Sequence, residues 1–160
     1  MENINIVGNK CNGCGVCSFI CPFKAIEMKE DNEGFLYPNI NQEKCKNCGA
    51  CLKKCNVINK LEKETNSQKC YMAITKNKVI YKNSASGGIA TLLSKLIIEK
   101  YNGVVYGCNM DNCFNVKHIR VDSVKDLYKL QDSKYVQSTI YNTFNEILND
   151  LKVRKVLFIG

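Results

Sequence analysis

A chain of 160 residues is one generous domain or two small ones. Its 23 basic and 15 acidic side chains leave a net charge of +8, and 45% of the residues are hydrophobic, a globular balance that excludes wholesale disorder. The opening Met1-Glu2-Asn3-Ile4-Asn5 has neither the basic start nor the apolar run of an export signal. Thr91, Ser94 and Lys95 interrupt the most apolar stretch, Ile89 to Ile98, so no segment reaches the about 18 apolar residues that a membrane span needs. What stands out is 11 cysteines. A cytoplasmic location is expected, and a reducing cytoplasm keeps thiols unpaired, so metal ligation is the first explanation to test.

Eight of the cysteines lie between positions 11 and 55, in two runs. Cys11, Cys14, Cys17 and Cys21 recur as Cys45, Cys48, Cys51 and Cys55, each 34 residues later, and Lys10 and Gly15 recur as Lys44 and Gly49. Each copy reads as a cysteine-bearing loop followed by a short helical turn. Between the copies, Ala25-Ile26-Glu27-Met28 and Phe35-Leu36-Tyr37-Pro38 predict a pair of short strands around Asp31-Asn32-Glu33-Gly34. A unit of this size cannot bury a large apolar core, so something besides burial must hold it together.

The run Cys11-Asn12-Gly13-Cys14-Gly15-Val16-Cys17-Ser18-Phe19-Ile20-Cys21-Pro22 resembles the cysteine pattern of bacterial two-cluster ferredoxins. Three thiolates on a tight loop can each reach one iron of a cubane, while the fourth, beside the helix, ligates the other cluster. Applied here, Cys11, Cys14, Cys17 and Cys55 hold one [4Fe–4S] cluster and Cys45, Cys48, Cys51 and Cys21 hold the other. Asn56 stands where the second run would carry its proline. The competing readings are structural zinc, which uses two separated Cys pairs rather than two runs of four, and disulfides, which need an oxidising compartment. Each oxidised four-thiolate cubane carries a charge of about −2, so loading lowers the net charge from +8 to about +4. Lysine outnumbers arginine by 21 to 2, with no basic stretch interleaved with aromatic residues. A solvated surface is favoured over nucleic-acid binding, although excess lysine could steer an acidic electron-transfer partner.

Residues 61–69 are polar except for Leu61 and read as a linker between domains at 1–60 and 70–160. Beyond it, Tyr71-Met72-Ala73-Ile74 and Val79-Ile80-Tyr81 are strand candidates. Ile89, Leu92, Leu93, Leu96 and Ile97 form the apolar stripe of a helix. Val104-Val105-Tyr106 and part of the stretch from Phe114 to Val121 are β-rich. Ser123 with Asp126 resembles a capping box opening a helix through Leu130. Ile140, Phe144, Ile147, Leu148 and Leu151 mark another helix, and Val156-Leu157-Phe158-Ile159 reads as a buried strand. The fold class expected is an α+β ferredoxin-like dicluster module followed by an α/β domain. The chain stops at Gly160, just after that strand, so a longer parent protein is expected.

Cys70, Cys108 and Cys113 have no ligand spacing and read as small buried hydrophobes. His118, the single histidine, is assigned no role. Asn83-Ser84-Ala85-Ser86-Gly87-Gly88 precedes the helix near Ile89, and such a turn serves equally as an anion-binding helix start or as an ordinary cap.

Several motifs in order resemble the coenzyme F420 hydrogenase/dehydrogenase beta-subunit family: Tyr71-Met72-Ala73, Ser84-Ala85-Ser86-Gly87-Gly88-Ile89, Gly103-Val104-Val105-Tyr106-Gly107, Val116-Lys117-His118, Asp126-Leu127-Tyr128-Lys129-Leu130, Ser133-Lys134-Tyr135-Val136-Gln137-Ser138 and Val156-Leu157-Phe158-Ile159-Gly160. The resemblance covers roughly residues 70–160, with the dicluster module fused ahead. It implies an iron–sulfur flavoprotein carrying FAD, with Ser86, Gly87, Gly88, Ser133 and Lys134 near the flavin. Asp132 departs from the family's glycine before Ser-Lys-Tyr. The function expected is an oxidoreductase moving electrons between two [4Fe–4S] clusters and a flavin, then to or from a two-electron carrier such as F420. Its partners would be a redox protein or hydrogenase/dehydrogenase subunits. The alternative is a ferredoxin-like carrier that docks a partner enzyme without catalysis of its own. No general acid or base is singled out, and oxygen-sensitive clusters suit an anaerobe.

Overall fold

A computed structural model describes residues 3–60 and 69–160 of the chain, which divides into two compact units, Met1–Ser67 and Gln68–Gly160. The expected linker lies outside the described residues except for Lys69.

The first unit opens with a tight helical segment, Ile4–Lys10, whose Asn3 cap accepts from the Asn5 N–H at 3.2 Å. It continues through α1 (Val16–Ile20), β1 (Ile26–Glu30), β2 (Leu36–Ile40) and α2 (Ala50–Lys54). β1 and β2 pair antiparallel with Ile26 opposite Ile40 and Glu30 opposite Leu36, the hairpin that the sequence predicts. Asp31 makes its turn: one carboxylate oxygen accepts from the N–H groups of Glu33 and Phe35, both at 2.9 Å. Among the described residues of this unit, Ile4, Val7, Cys17, Ala25, Ile26 and Met28 are the buried side chains. So small a core agrees with the need for another source of stability.

The internal repeat is a repeat of backbone geometry. Gly15 and Gly49, one before each short helix, have left-handed φ values of 72° and 73°. Their carbonyls accept from Phe19 and Lys53, respectively, both at 3.1 Å. The left-handed turn costs a side-chain-bearing residue about 1–2 kcal/mol, which explains glycine at this point in both copies. Gly13 and Asn47, also 34 residues apart, are both left-handed, with Asn tolerating what Gly adopts freely.

The second unit contains α3 (Lys78–Lys82), α4 (Ile89–Tyr101), β3 (Val104–Met110), β4 (Val116–Val121), tight helical segments at Val124–Leu130 and Tyr141–Thr143, α5 (Phe144–Asp150) and β5 (Val156–Phe158). Its sheet has the order β4-β3-β5, with β3 antiparallel to β4 and parallel to β5. Central β3 supplies the core: Val104, Val105 and Tyr106 are fully buried. Asp111 repeats the Asp31 device, accepting at 2.9 Å from both Cys113 and Asn115, and Phe114 takes the left-handed position that Gly34 occupies in the first hairpin.

Five expectations for this unit change. Residues 71–74 form no strand, and Val79-Ile80-Tyr81 lie in α3 because Asn77 Oδ1 caps it, accepting from Val79 and Ile80 at 3.0 and 3.1 Å. In α4, Leu92, Leu93 and Leu96 are 41%, 45% and 43% exposed, while Ser94 is 1% exposed and bonded to the Ala90 carbonyl at 2.8 Å. A small residue thus occupies the helix's buried position. Val124–Leu130 is a tight helical segment rather than an α-helix; Ser123 accepts from Lys125, and Asp126 reaches Lys129 at 2.6 Å instead of closing a capping box. β5 is an edge strand and Phe158 stays half exposed, so the strand is not fully buried.

His118 on β4 is buried and joins three segments. Its Nε2 lies 3.0 Å from the Ile159 carbonyl, its Nδ1 lies 2.8 Å from the Ser138 hydroxyl, and its ring stacks on Phe158. A carbonyl only accepts, so Nε2 carries the proton and Nδ1 accepts from Ser138. Beside it, Arg120 donates to Asp150 at 2.7 and 3.2 Å and to Asp122 at 2.7 Å, and Arg154 approaches both acids. The chain's two arginines therefore meet on the same carboxylates, the forked geometry that lysine cannot reproduce.

Candidate metal centre

The cysteines of the two runs occupy matched positions in the repeat, on the loops before α1 and α2, within them, and just after them. Cys21 and Cys55 both leave their helices in extended conformation, with ψ of 111° and 120°.

Cys21, Cys45, Cys48 and Cys51 line one cavity of about 370 Å³, counted to its open mouth. Pro22, Phe23, Ile26 and Ile40 supply apolar wall, and Lys46 and Asn47 stand at the same cavity. One cysteine from the first run thus joins three from the second across a separation in sequence of 24 residues or more. The donor set is all sulfur and the cavity is largely apolar, which fits a thiolate-ligated iron–sulfur cluster. Among the described residues, no group of three or more His, Cys, Asp or Glu side chains is arranged to hold a single metal ion. A tetrahedral zinc with bonds of about 2.3 Å would need its four sulfurs drawn around one point.

Backbone amides reach the sulfurs of Cys11 and Cys21, among others. Gly13 donates to Cys11 Sγ at 3.4 Å and Ala25 donates to Cys21 Sγ at 3.3 Å. Asn12 Nδ2 donates a hydrogen bond to Asn56 Oδ1 at 3.3 Å and so links the two copies, which gives the residue replacing the second proline a role of its own. Cys17 is the most buried of the eight, at 8% exposure. Burial, with the neighbouring Cys14 and Cys11 adding to it, pushes its thiol up to about 12. A thiolate there would need a compensating cation, a role that bound iron would fill.

Lys46 and Asn47 are cavity residues that the sequence reading passed over. The signal was present: the 34-residue offset aligns them with Asn12 and Gly13.

The residues expected near a flavin lie on two loops of the second unit, with Ser86 and Ser133 exposed. The chain's own packing accounts for the glycines. A Cβ on Gly87 would come within 2.5 Å of the Ala73 carbonyl oxygen, and one on Gly88 within 2.8 Å of Thr75. Gly87 also accepts from the Thr75 N–H at 2.8 Å. Lys134 Nζ is engaged with the carbonyls of Gln131 and Asp132. Asp132, where the family carries glycine, has a left-handed φ of 68°. Cys70 and Cys113 are exposed and Cys108 is half buried, so these three are not the buried hydrophobes expected.

Residues 10–58 match the 4Fe-4S dicluster domain family, a stretch that includes all eight cysteines of the two runs. No curated protein matches the chain. The matched residues end before the second unit and lend no support to the F420-family resemblance over 70–160. Among the described residues, no helix is long and apolar enough to cross a membrane. The chain therefore contains a 4Fe-4S dicluster domain at residues 10–58.

Proposed function

We propose that this protein is a one-electron carrier holding two [4Fe–4S] clusters, one on Cys11, Cys14, Cys17 and Cys55 and the other on Cys45, Cys48, Cys51 and Cys21. The dicluster match points to an iron–sulfur electron-transfer role. The observation that supports the crossed ligand assignment is the cavity shared by Cys21 with Cys45, Cys48 and Cys51. When bound, such clusters take up and release single electrons. The chain's part is to hold and tune them. Left-handed Gly15 and Gly49 open the two helices beside the ligand loops, while the Gly13 and Ala25 amides withdraw electron density from thiolate sulfur. The cytoplasm is the compartment this reading assumes, and a redox protein is the partner class.

The flavoenzyme reading keeps the ordered motifs of residues 70–160 as its support. In that version Ser86, Gly87, Gly88, Ser133 and Lys134 lie near FAD, and electrons continue to a carrier such as F420. Packing against Ala73 and Thr75 already explains the glycines, so the carrier reading stands first.

Metal and flavin analysis of anaerobically prepared protein tests both readings. About eight irons per chain, with visible absorption bleached by dithionite, is the expected result. Stoichiometric zinc without iron overturns the cluster assignment. Iron with one FAD per chain moves the protein to the flavoenzyme reading.

A further inference from the structure

The two copies of the repeat share a backbone but differ in cover and charge. In the first copy Gly13, Gly15 and Cys17 are buried and Cys14 is half buried. At the matching positions of the second, Asn47 and Cys48 are exposed, and Gly49 and Cys51 are half buried. At all four pairs the second copy is the more open.

Charge follows the same division. Residues 9–20 contain one charged side chain, Lys10, for a net +1; the matching residues 43–54 contain Glu43 against Lys44, Lys46, Lys53 and Lys54, for a net +3. Asn12, Phe19 and Ile20 of the first copy have become Lys46, Lys53 and Lys54 in the second. All three lysines are exposed, and Lys46 lines the cavity beside Cys45 and Cys48. An oxidised cubane brings about −2 to each copy, so the sign divides: the first copy ends net negative and the second net positive. Electron tunnelling favours short distance, and the positive charge of Lys46 at the cavity, with Lys53 and Lys54 on the helix that carries Cys51, attracts an oppositely charged molecule to the more exposed centre.

We propose that the face carrying Cys45, Cys48 and Cys51 is the docking port for an acidic redox protein, steered by Lys46, Lys53 and Lys54. The proposal rests on the two-cluster reading and adds which centre exchanges electrons and with what kind of surface. In the step, one electron leaves the reduced centre and enters the acceptor, with no bond made or broken.

The full chain, loaded with iron anaerobically, tests this with two kinds of probe. Dithionite-reduced protein is mixed with hexacyanoferrate(III), which takes one electron to become hexacyanoferrate(II), or with hexaammineruthenium(III), which takes one to become the ruthenium(II) ion. Rates are expressed per bound cluster. Separately, binding of fluorescent polyglutamate is followed by anisotropy at several salt concentrations. Combining Lys46→Asn, Lys53→Gln and Lys54→Gln is expected to slow oxidation by the anion about threefold or more, speed oxidation by the cation, and weaken polyglutamate binding with a shallower salt dependence. The control pair Lys10→Gln and Lys24→Gln is expected to change each by less than about twofold. Equal effects of the two variants, with iron fully bound, overturn the port alone. Duplex DNA bound more tightly than polyglutamate overturns it in favour of a nucleic-acid surface. Failure of the unmodified chain to take up iron overturns the cluster reading beneath it.

Discussion

Tyr106, fully buried at the centre of the second unit's sheet, donates its hydroxyl to Asp150 at the end of α5 across 2.7 Å. The same carboxylate accepts from Arg120 on β4. A single acid thereby ties two neighbouring strands to a helix. Burial first, then the Asp150 carboxylate, raises the Tyr106 phenol above its ordinary value, while the Arg120 hydrogen bond holds Asp150 below the usual carboxylate range.

Removing the acid should therefore cost more than removing the phenol. Asp150→Ala leaves Arg120 and the Tyr106 hydroxyl without their partner and is expected to destabilise the protein by about 2–3 kcal/mol. Tyr106→Phe is expected to cost about 1 kcal/mol. Urea unfolding followed by circular dichroism measures both, and an equal loss from the two variants would contradict this ordering. Because the Asp150 pKa is depressed on folding, its contribution is complete above the unfolded value near about 4 and is lost as pH falls through the folded value.

His118 introduces a second, milder acid sensitivity. Burial lowers its pKa, opposed by the bond to the Ile159 carbonyl. The folded state consequently takes up its proton at lower pH than the unfolded chain does. Stability from the neutral ring is complete above about pH 6.5 and falls away as pH drops through the folded value. In His118→Gln this part of the pH dependence should vanish. Unfolding midpoints compared at pH 7.5 and 5.5 check it.

Cysteine replacements should separate ligands from bystanders. Cys48→Ala is expected to remove about four of eight irons and to leave the spectrum of one cubane. Cys113→Ser, in the exposed turn made by Asp111, should retain all the iron. Iron analysis with low-temperature electron paramagnetic resonance distinguishes the two outcomes.

Close packing at one turn and backbone strain at another give predictions of opposite sign. Gly87→Ala brings a methyl against the Ala73 carbonyl oxygen and is expected to cost about 1–3 kcal/mol with or without added flavin. Phe114, 79% exposed with φ of 63°, holds a left-handed position that glycine occupies without penalty. Phe114→Gly is expected to raise stability by up to about 1 kcal/mol. Thermal melts read both, and stabilisation by Gly87→Ala would refute the packing account of that turn.

Cysteine spacing, the 34-residue repeat and the strand-like runs on either side of Asp31-Asn32-Glu33-Gly34 were sufficient to anticipate the cysteine loops, the short helices and the first hairpin. Those features are local: a left-handed glycine or an acidic turn residue acts within a few positions of itself. Other features depended on what the rest of the chain presses against each segment. Val79-Ile80-Tyr81 has strand-like residues, yet one capping Asn77 turns it into a helix. The leucines of α4 looked like its buried stripe, but Ser94 takes the covered position. His118 and Asp150 became structural ties because partners 41 and 44 residues away come within hydrogen-bond reach. Composition and spacing set what each short segment can adopt, whereas long-range contacts select among those options, since burial and paired polar groups arise only when distant segments meet.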